Sequence, residues 1–231
     1  MFRLPPRTLM TLLVFAAATQ AAAQTAPPQT PERESISVQY GVRFGPSFTS
    51  LTSVEAFDPT AAPAAFEPTM NFGGFAVIQA RGVFSFQPEV LFASKGQRIR
   101  SKTAQPVTNA DGEVELPPAD RVILVRYLEF PMLLRMSKTT HENTSLYAIG
   151  GIAIALHRNS VIREVVDSSR KVDISELVKA MDIPFILGGG LQHKRWLVDA
   201  RITRGLMNIA AVPEQPPVKT RAFSVLMGVR F

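Results

Sequence analysis

The 231-residue chain contains no cysteine, so neither a disulfide framework nor thiolate chemistry is open to it. After residue 23 no stretch reaches the roughly 18 uninterrupted apolar residues of a membrane-spanning helix. A chain of this kind can cross a bilayer only as a closed sheet, the other arrangement that satisfies every backbone polar group in lipid. Histidine occurs three times. His141 and His193 fall in different short turns, and the spacing of the three suggests no metal site, so neither metal nor cofactor is expected. Gly150, Gly151, Gly188, Gly189 and Gly190 are not followed by the lysine and helix of a phosphate loop, and they read instead as places where a sheet bends or backbones approach closely. The formal charge of +6 comes from 25 basic and 19 acidic residues scattered through turns and alternating stretches, which gives no footprint for nucleic acid.

What is present begins with an export pattern. Arg3 and Arg7 precede an apolar centre from Leu9 to Ala18, and Ala21, Ala22 and Ala23 stand before Gln24, so residues 1–23 read as a cleaved signal peptide. Residues 24–34, with Pro27, Pro28 and Pro31, read as an irregular leader, and residues 35–231 as the folded domain. That domain alternates with a period of two. Ile36, Val38, Tyr40, Val42 and Phe44 oppose Ser37, Gln39, Gly41, Arg43 and Gly45; Pro46 is expected to end regular pairing or to mark a bulge. A strand from about Met70 to Arg81 follows, with Phe72 and Phe75 on opposite sides. In the third strand Phe84, Phe86, Val90 and Phe92 face away from Ser85, Gln87, Glu89 and Lys95, and Pro88 sits among the apolar set. Further strands are expected over 121–136, 146–156, 185–192 and 196–203. The last is the clearest: Phe223, Val225, Met227, Val229 and Phe231 oppose Ala222, Ser224, Gly228 and Arg230.

The connections are predicted at 50–69, 97–120, 157–181 and 208–219 on one side and as tight turns on the other, with a short capped helix starting near Ser175. Eight strands joined by loops that run long, short, long, short define an all-β, antiparallel up-and-down transmembrane barrel with long extracellular loops and short periplasmic turns. The aromatics fit an interfacial girdle: Phe84, Trp196 and Phe231 at the periplasmic rim, and Phe48, Phe92 and Phe223 toward the outer rim. Phe231 also reads as the terminal signal for barrel assembly.

Gly41-Val42-Arg43-Phe44-Gly45, the run Phe86-Gln87-Pro88-Glu89-Val90-Leu91-Phe92 with Lys95-Gly96, Tyr127-Leu128-Glu129-Phe130-Pro131, and Asp199-Ala200-Arg201 with Gly205-Leu206 resemble, in order, the PorT-like outer-membrane β-barrel family. The resemblance implies an eight-stranded barrel in which proline is accommodated at Pro88 and Pro131. Ile202 departs from the pattern, where an aromatic commonly follows the arginine. The founding member is linked to protein secretion across the outer membrane.

Arg43, Glu89, Glu129, Asp199, Arg201 and Arg230 all fall on non-apolar faces. An eight-stranded barrel is just wide enough to be filled by side chains, so these residues are expected to form a structural ion-pair network in the lumen, with Arg201 reaching Glu89 across it. The expected function is non-enzymatic: an envelope barrel with outer-membrane lipid around it, the barrel-assembly machinery as its partner during insertion, and a protein partner at the outer loops or the periplasmic rim. Two alternatives are an outer-membrane lipid-modifying enzyme using His157 and Ser160, and an exported soluble barrel with its apolar faces turned inward around a small ligand.

Overall fold

A computed structural model describes residues 37–59, 61–79, 82–101, 107–108, 114–115, 121–165, 171–212 and 216–231. The expected signal peptide and leader lie outside the described residues. Eight long strands carry the architecture: β1 (Val38–Leu51), β2 (Ala61–Gln79), β3 (Phe84–Ser101), β4 (Arg121–His141), β5 (Thr144–Glu164), β6 (Pro184–His193), β7 (Trp196–Gly205) and β8 (Thr220–Arg230). Each pairs antiparallel with its sequence neighbour, and β8 closes on β1.

Closure can be followed residue by residue. A single row of paired residues runs from Ser145 through Gln192, Leu197, Gly228, Arg43, Gly73, Leu91 and Glu129 to Ala155. It returns to β5 ten residues further along than it left. That stagger obliges the strands to tilt, typically by about 35–45°.

The period-two pattern sorts the side chains as expected. Val42, Phe44, Phe86, Val90, Leu134, Leu187, Val198, Val225 and Met227 are exposed on the outside, while Arg43, Glu89, Glu129, Asp199 and Arg201 are buried inside. This placement contradicts the soluble alternative, which needs apolar residues inward. β2 resolves in the same way: Phe72 faces out and Phe75 faces the lumen.

Several expected loops are shorter than the sequence suggested. β2 begins at Ala61, not Met70; Pro63 and Pro68 are accommodated where the β2–β3 register shifts, so proline marks bulges there and not a loop. β4 and β5 run to a tight hairpin at residues 142–143, and β5 continues past His157 to Glu164. Pro46 does not end β1. The ladder to β8 is interrupted at Gly45 and Pro46 while that to β2 runs through both. The expected capped helix is a single 3-10 turn, Ser175–Leu177, with no side-chain cap. It is cut short because Val178 turns extended to bridge Ala210, and Lys179 N–H donates to the Ile209 carbonyl at 2.7 Å.

Candidate site in the lumen and at the outer mouth

The ions at the waist of the barrel come from three strands. Asp199 and Arg201 sit two apart on β7 and therefore share its inner face. Glu89 projects from β3 on the opposite wall, and Arg43 from β1 between them. Arg201 binds Glu89 with both ends of its guanidinium, Nη1 to Oε2 at 2.9 Å and Nη2 to Oε1 at 3.0 Å, and its Nε reaches Asp199 Oδ1 at 2.6 Å. Arg43 Nη1 lies 3.0 Å from Glu89 and 3.3 Å from Asp199, with the guanidinium stacked 4.4 Å above the Phe75 ring. Each carboxylate thus touches both arginines, the condition under which burying charge is tolerable.

A second tier anchors this cluster. Gln87 donates to Glu89 at 2.6 Å and accepts from Arg135 at 3.1 Å, and Arg135 also donates to Gln192 and Ser137 while lying 3.7 Å over the Tyr147 ring. Tyr147 closes the circuit by donating to Asp199 at 2.9 Å. The glycines of β6 make the room. A Cβ at Gly190 would stand 2.7 Å from Tyr147 Cζ and 2.6 Å from Asp199 Cβ, and one at Gly188 would press the Arg201 stem at 3.1 Å.

Of the six charged residues expected to form one network, four do so. Glu129 is separate, paired with Lys95 at 2.6 Å beside the Tyr127 ring. Arg230 lies half-buried at the short-turn end, donating to Gln39 at 2.5 Å. The separations follow from register: Glu129 shares its row with Ala155 and Asp182, displaced from Glu89, and Arg230 is the last paired residue of β8. Phe75, Gln87, Arg135 and Tyr147 belong to the cluster although the sequence did not nominate them. Their signal was present, because Gln87 and Arg135 lie on the inner faces of strands already recognised.

Above the waist the interior changes character. Val54 and Phe57 from residues 52–59, Ile174 and Val178, and Ile209 and Val218 fold into the mouth against Ile99, Ile123 and Val125 of the wall. The loops are tied to one another by backbone bonds, Thr52 N–H to Lys219 O and Ala211 N–H to Leu177 O, and within the last loop Val218 N–H donates to the Asn208 side chain at 2.9 Å. On the rim Asp58 pairs with Arg121 at 2.7 Å. Between waist and plug, Asp182 is buried and accepts from Thr220 at 3.0 Å.

His157 and Ser160 meet at the outer end of β5, Nε2 to Oγ at 2.7 Å. Ser160 is fully buried, and its backbone N–H is taken by the Ser175 hydroxyl at 3.0 Å. Where residues 171–173 pair with the outer end of β5, the exposed Asp173 accepts hydrogen bonds from Ser175, which hold its carboxyl below the usual range.

The six girdle aromatics are all exposed on the outer face. Phe48 pairs with Phe223 across β1 and β8, and Phe92 stacks on Phe72 with ring centroids 5.1 Å apart; Phe84, Trp196 and Phe231 lie at the short-turn ends of their strands.

This is the architecture of a bacterial outer-membrane barrel, with apolar residues around a closed wall and a filled polar interior. The chain belongs to the family described as outer membrane protein beta-barrel domain, whose profile matches residues 22–211. No curated protein matches it. Among solved structures it is similar to Ail, the attachment invasion locus protein of Yersinia pestis, at 12% identity and a TM-score of 0.37, covering 84% of this chain and 98% of that one. It is also similar to Neisserial surface protein A at 10% identity and a TM-score of 0.42, covering 84% and 99%.

Proposed function

We propose that this protein is a sealed, non-enzymatic outer-membrane barrel that serves the envelope through the surface of its long-loop end and not through its lumen. The observation that carries this reading is the double closure of the interior, by ion pairs at the waist and by folded apolar loops at the mouth. An interior so filled offers no continuous aqueous path, and the loops that fill it present a fixed outer surface to a protein partner. The PorT-like resemblance supports an accessory role in secretion as the finer reading. The girdle anchors the barrel in lipid, and Phe231 is the signal read by the assembly machinery. Reconstitution in planar bilayers tests the sealing: the protein should leave the membrane at its baseline conductance, whereas steady open channels would end this reading. Affinity capture from detergent-solubilised membranes, with crosslinkers placed on residues 171–177 and 206–212, then identifies the partner.

A second reading rests on the 2.7 Å contact between His157 and Ser160. It assigns Ser160 as the nucleophile of a lipid hydrolase with His157 as its base. Burial of Ser160 opposes it, and among the described residues no carboxylate hydrogen bond to His157 orients the ring. The test is the lipid A and phospholipid profile of cells lacking the protein: a change restored by the native chain but not by His157→Ala would favour the enzyme, and an unchanged profile removes it.

A further inference from the structure

The lipid-facing wall is not uniformly convex. Met136, Ala148, Gly189, Ala200 and Val225 form one paired row across β4 to β8, so three small outward residues, Ala148, Gly189 and Ala200, stand side by side. The neighbouring row on the short-turn side is tall, with Leu146, Leu191 and Val198, while the row on the other side carries Gly150, Leu187 and Ile202. Along the short-turn side of the small row lies an open, almost wholly apolar cavity of about 950 Å³, lined by that row and by Val83, Lys138, Leu146, Leu191 and Val198.

Its direction matters as much as its lining. Paired rows climb toward the outer end as they pass from β5 to β8, as the ten-residue stagger shows. Four interstrand steps of roughly 4.8 Å give a trough about 19 Å long. With strands tilted about 40°, it rises on the order of 12 Å, close to half of the ~25 Å apolar band of such barrels. The trough therefore crosses one leaflet. Its low end lies at Lys138, an exposed cation that lines the cavity beside Met136. Lys194 and Arg195 stand exposed on the same rim.

We infer that this trough is a binding site for one acyl chain of an anionic phospholipid of the periplasmic leaflet, with the phosphate held at Lys138. A chain laid on Ala148, Gly189 and Ala200 against the Leu146, Leu191 and Val198 ridge is contacted on its floor and along one flank, more than on a convex wall, and dispersion contact grows with each added neighbour. The cation at the headgroup end selects negative charge.

The protein supplies its own probe, because its single tryptophan, Trp196, lies on the outer face of β7 two residues from Val198. Trp196 fluorescence is measured in vesicles of phosphatidylcholine containing either dibrominated phosphatidylglycerol or dibrominated phosphatidylcholine. The native protein should be quenched at a several-fold lower fraction of the brominated phosphatidylglycerol. Lys138→Gln should abolish that preference. Ala200→Leu, which fills the trough from the lipid side and leaves the lumen untouched, should reduce it while heat-modifiable gel migration stays native. Equal quenching by the two lipids in the native protein overturns the inference. So does a preference that survives both substitutions, which would belong to the basic rim at large. A Trp196 shielded from both lipids until Ala200→Leu is introduced would mean that a second copy of the chain covers the trough, and would also overturn it.

Discussion

The inside of this barrel is filled twice, by opposite means. At the waist the filling comes from strand residues alone, four ions from three strands with Tyr147, Gln87 and Arg135 behind them. At the mouth it comes from loop residues, Val54, Phe57, Ile174, Val178, Ile209 and Val218, that bury apolar surface like a small soluble core. The waist ties opposite walls of the barrel together, and removal of one member strands the others. The plug is stabilised by area removed from water, and loss of one member leaves only a cavity. The two regions should therefore fail differently.

The largest effect is expected at the waist. Glu89→Ala leaves Arg43 and Arg201 each short of a carboxylate in a closed interior, and should cost about 4 kcal/mol, the range for a broken buried pair. Urea unfolding from vesicles, followed by Trp196 fluorescence, reads this as a large fall in midpoint. At the plug, Phe57→Ala should cost about 3 kcal/mol through its cavity. Here the loss should appear chiefly as faster protease cleavage within residues 52–60 and 206–219, with a smaller change in barrel unfolding. If both substitutions lowered the global midpoint alike and left the loops equally protected, the division into two regions would be wrong.

The Lys95 and Glu129 pair sharpens the contrast, because it is an ion pair outside the cluster. Lys95→Met with Glu129→Leu should fall within about 1 kcal/mol of the native protein, while either change alone costs more. A smaller effect is expected at Asp173, exposed where residues 171–173 pair with the outer end of β5. Its depressed pKa means that the ionised carboxylate is the form favoured in the fold, so its contribution is present at neutral pH and fades as pH falls through the depressed value. Asp173→Asn should weaken amide-exchange protection of residues 171–177 at neutral pH and make little difference in acid.

The waist was legible in sequence because alternation assigns a face to every strand residue. Arg43, Glu89, Asp199 and Arg201 could be placed inward without coordinates. That Arg201 would reach Glu89 followed from the third and seventh strands facing each other across the lumen; which other inward charges would join them did not, since that depends on the stagger of a closed sheet. Glu129 lies opposite Leu91, two residues of register from Glu89, and nothing local encodes that offset. The plug was invisible for a different reason. Ile174, Val178 and Ile209 lie in segments with no period, and their burial is imposed by three loops meeting over one opening. Proline misled in the same regions. Pro63 and Pro68 look like loop residues, yet both are taken into β2 because bulges absorb the missing donor.

The claim on which all of this depends is that ions face inward and apolar residues face lipid, and β8 tests it most directly. Spin labels placed singly from Phe223 to Met227 in vesicles should show high oxygen and low nickel-chelate accessibility at Phe223, Val225 and Met227, and low accessibility to both at Ser224 and Leu226. The opposite alternation, or nickel access at Ser224 and Leu226, would contradict a filled barrel with this orientation.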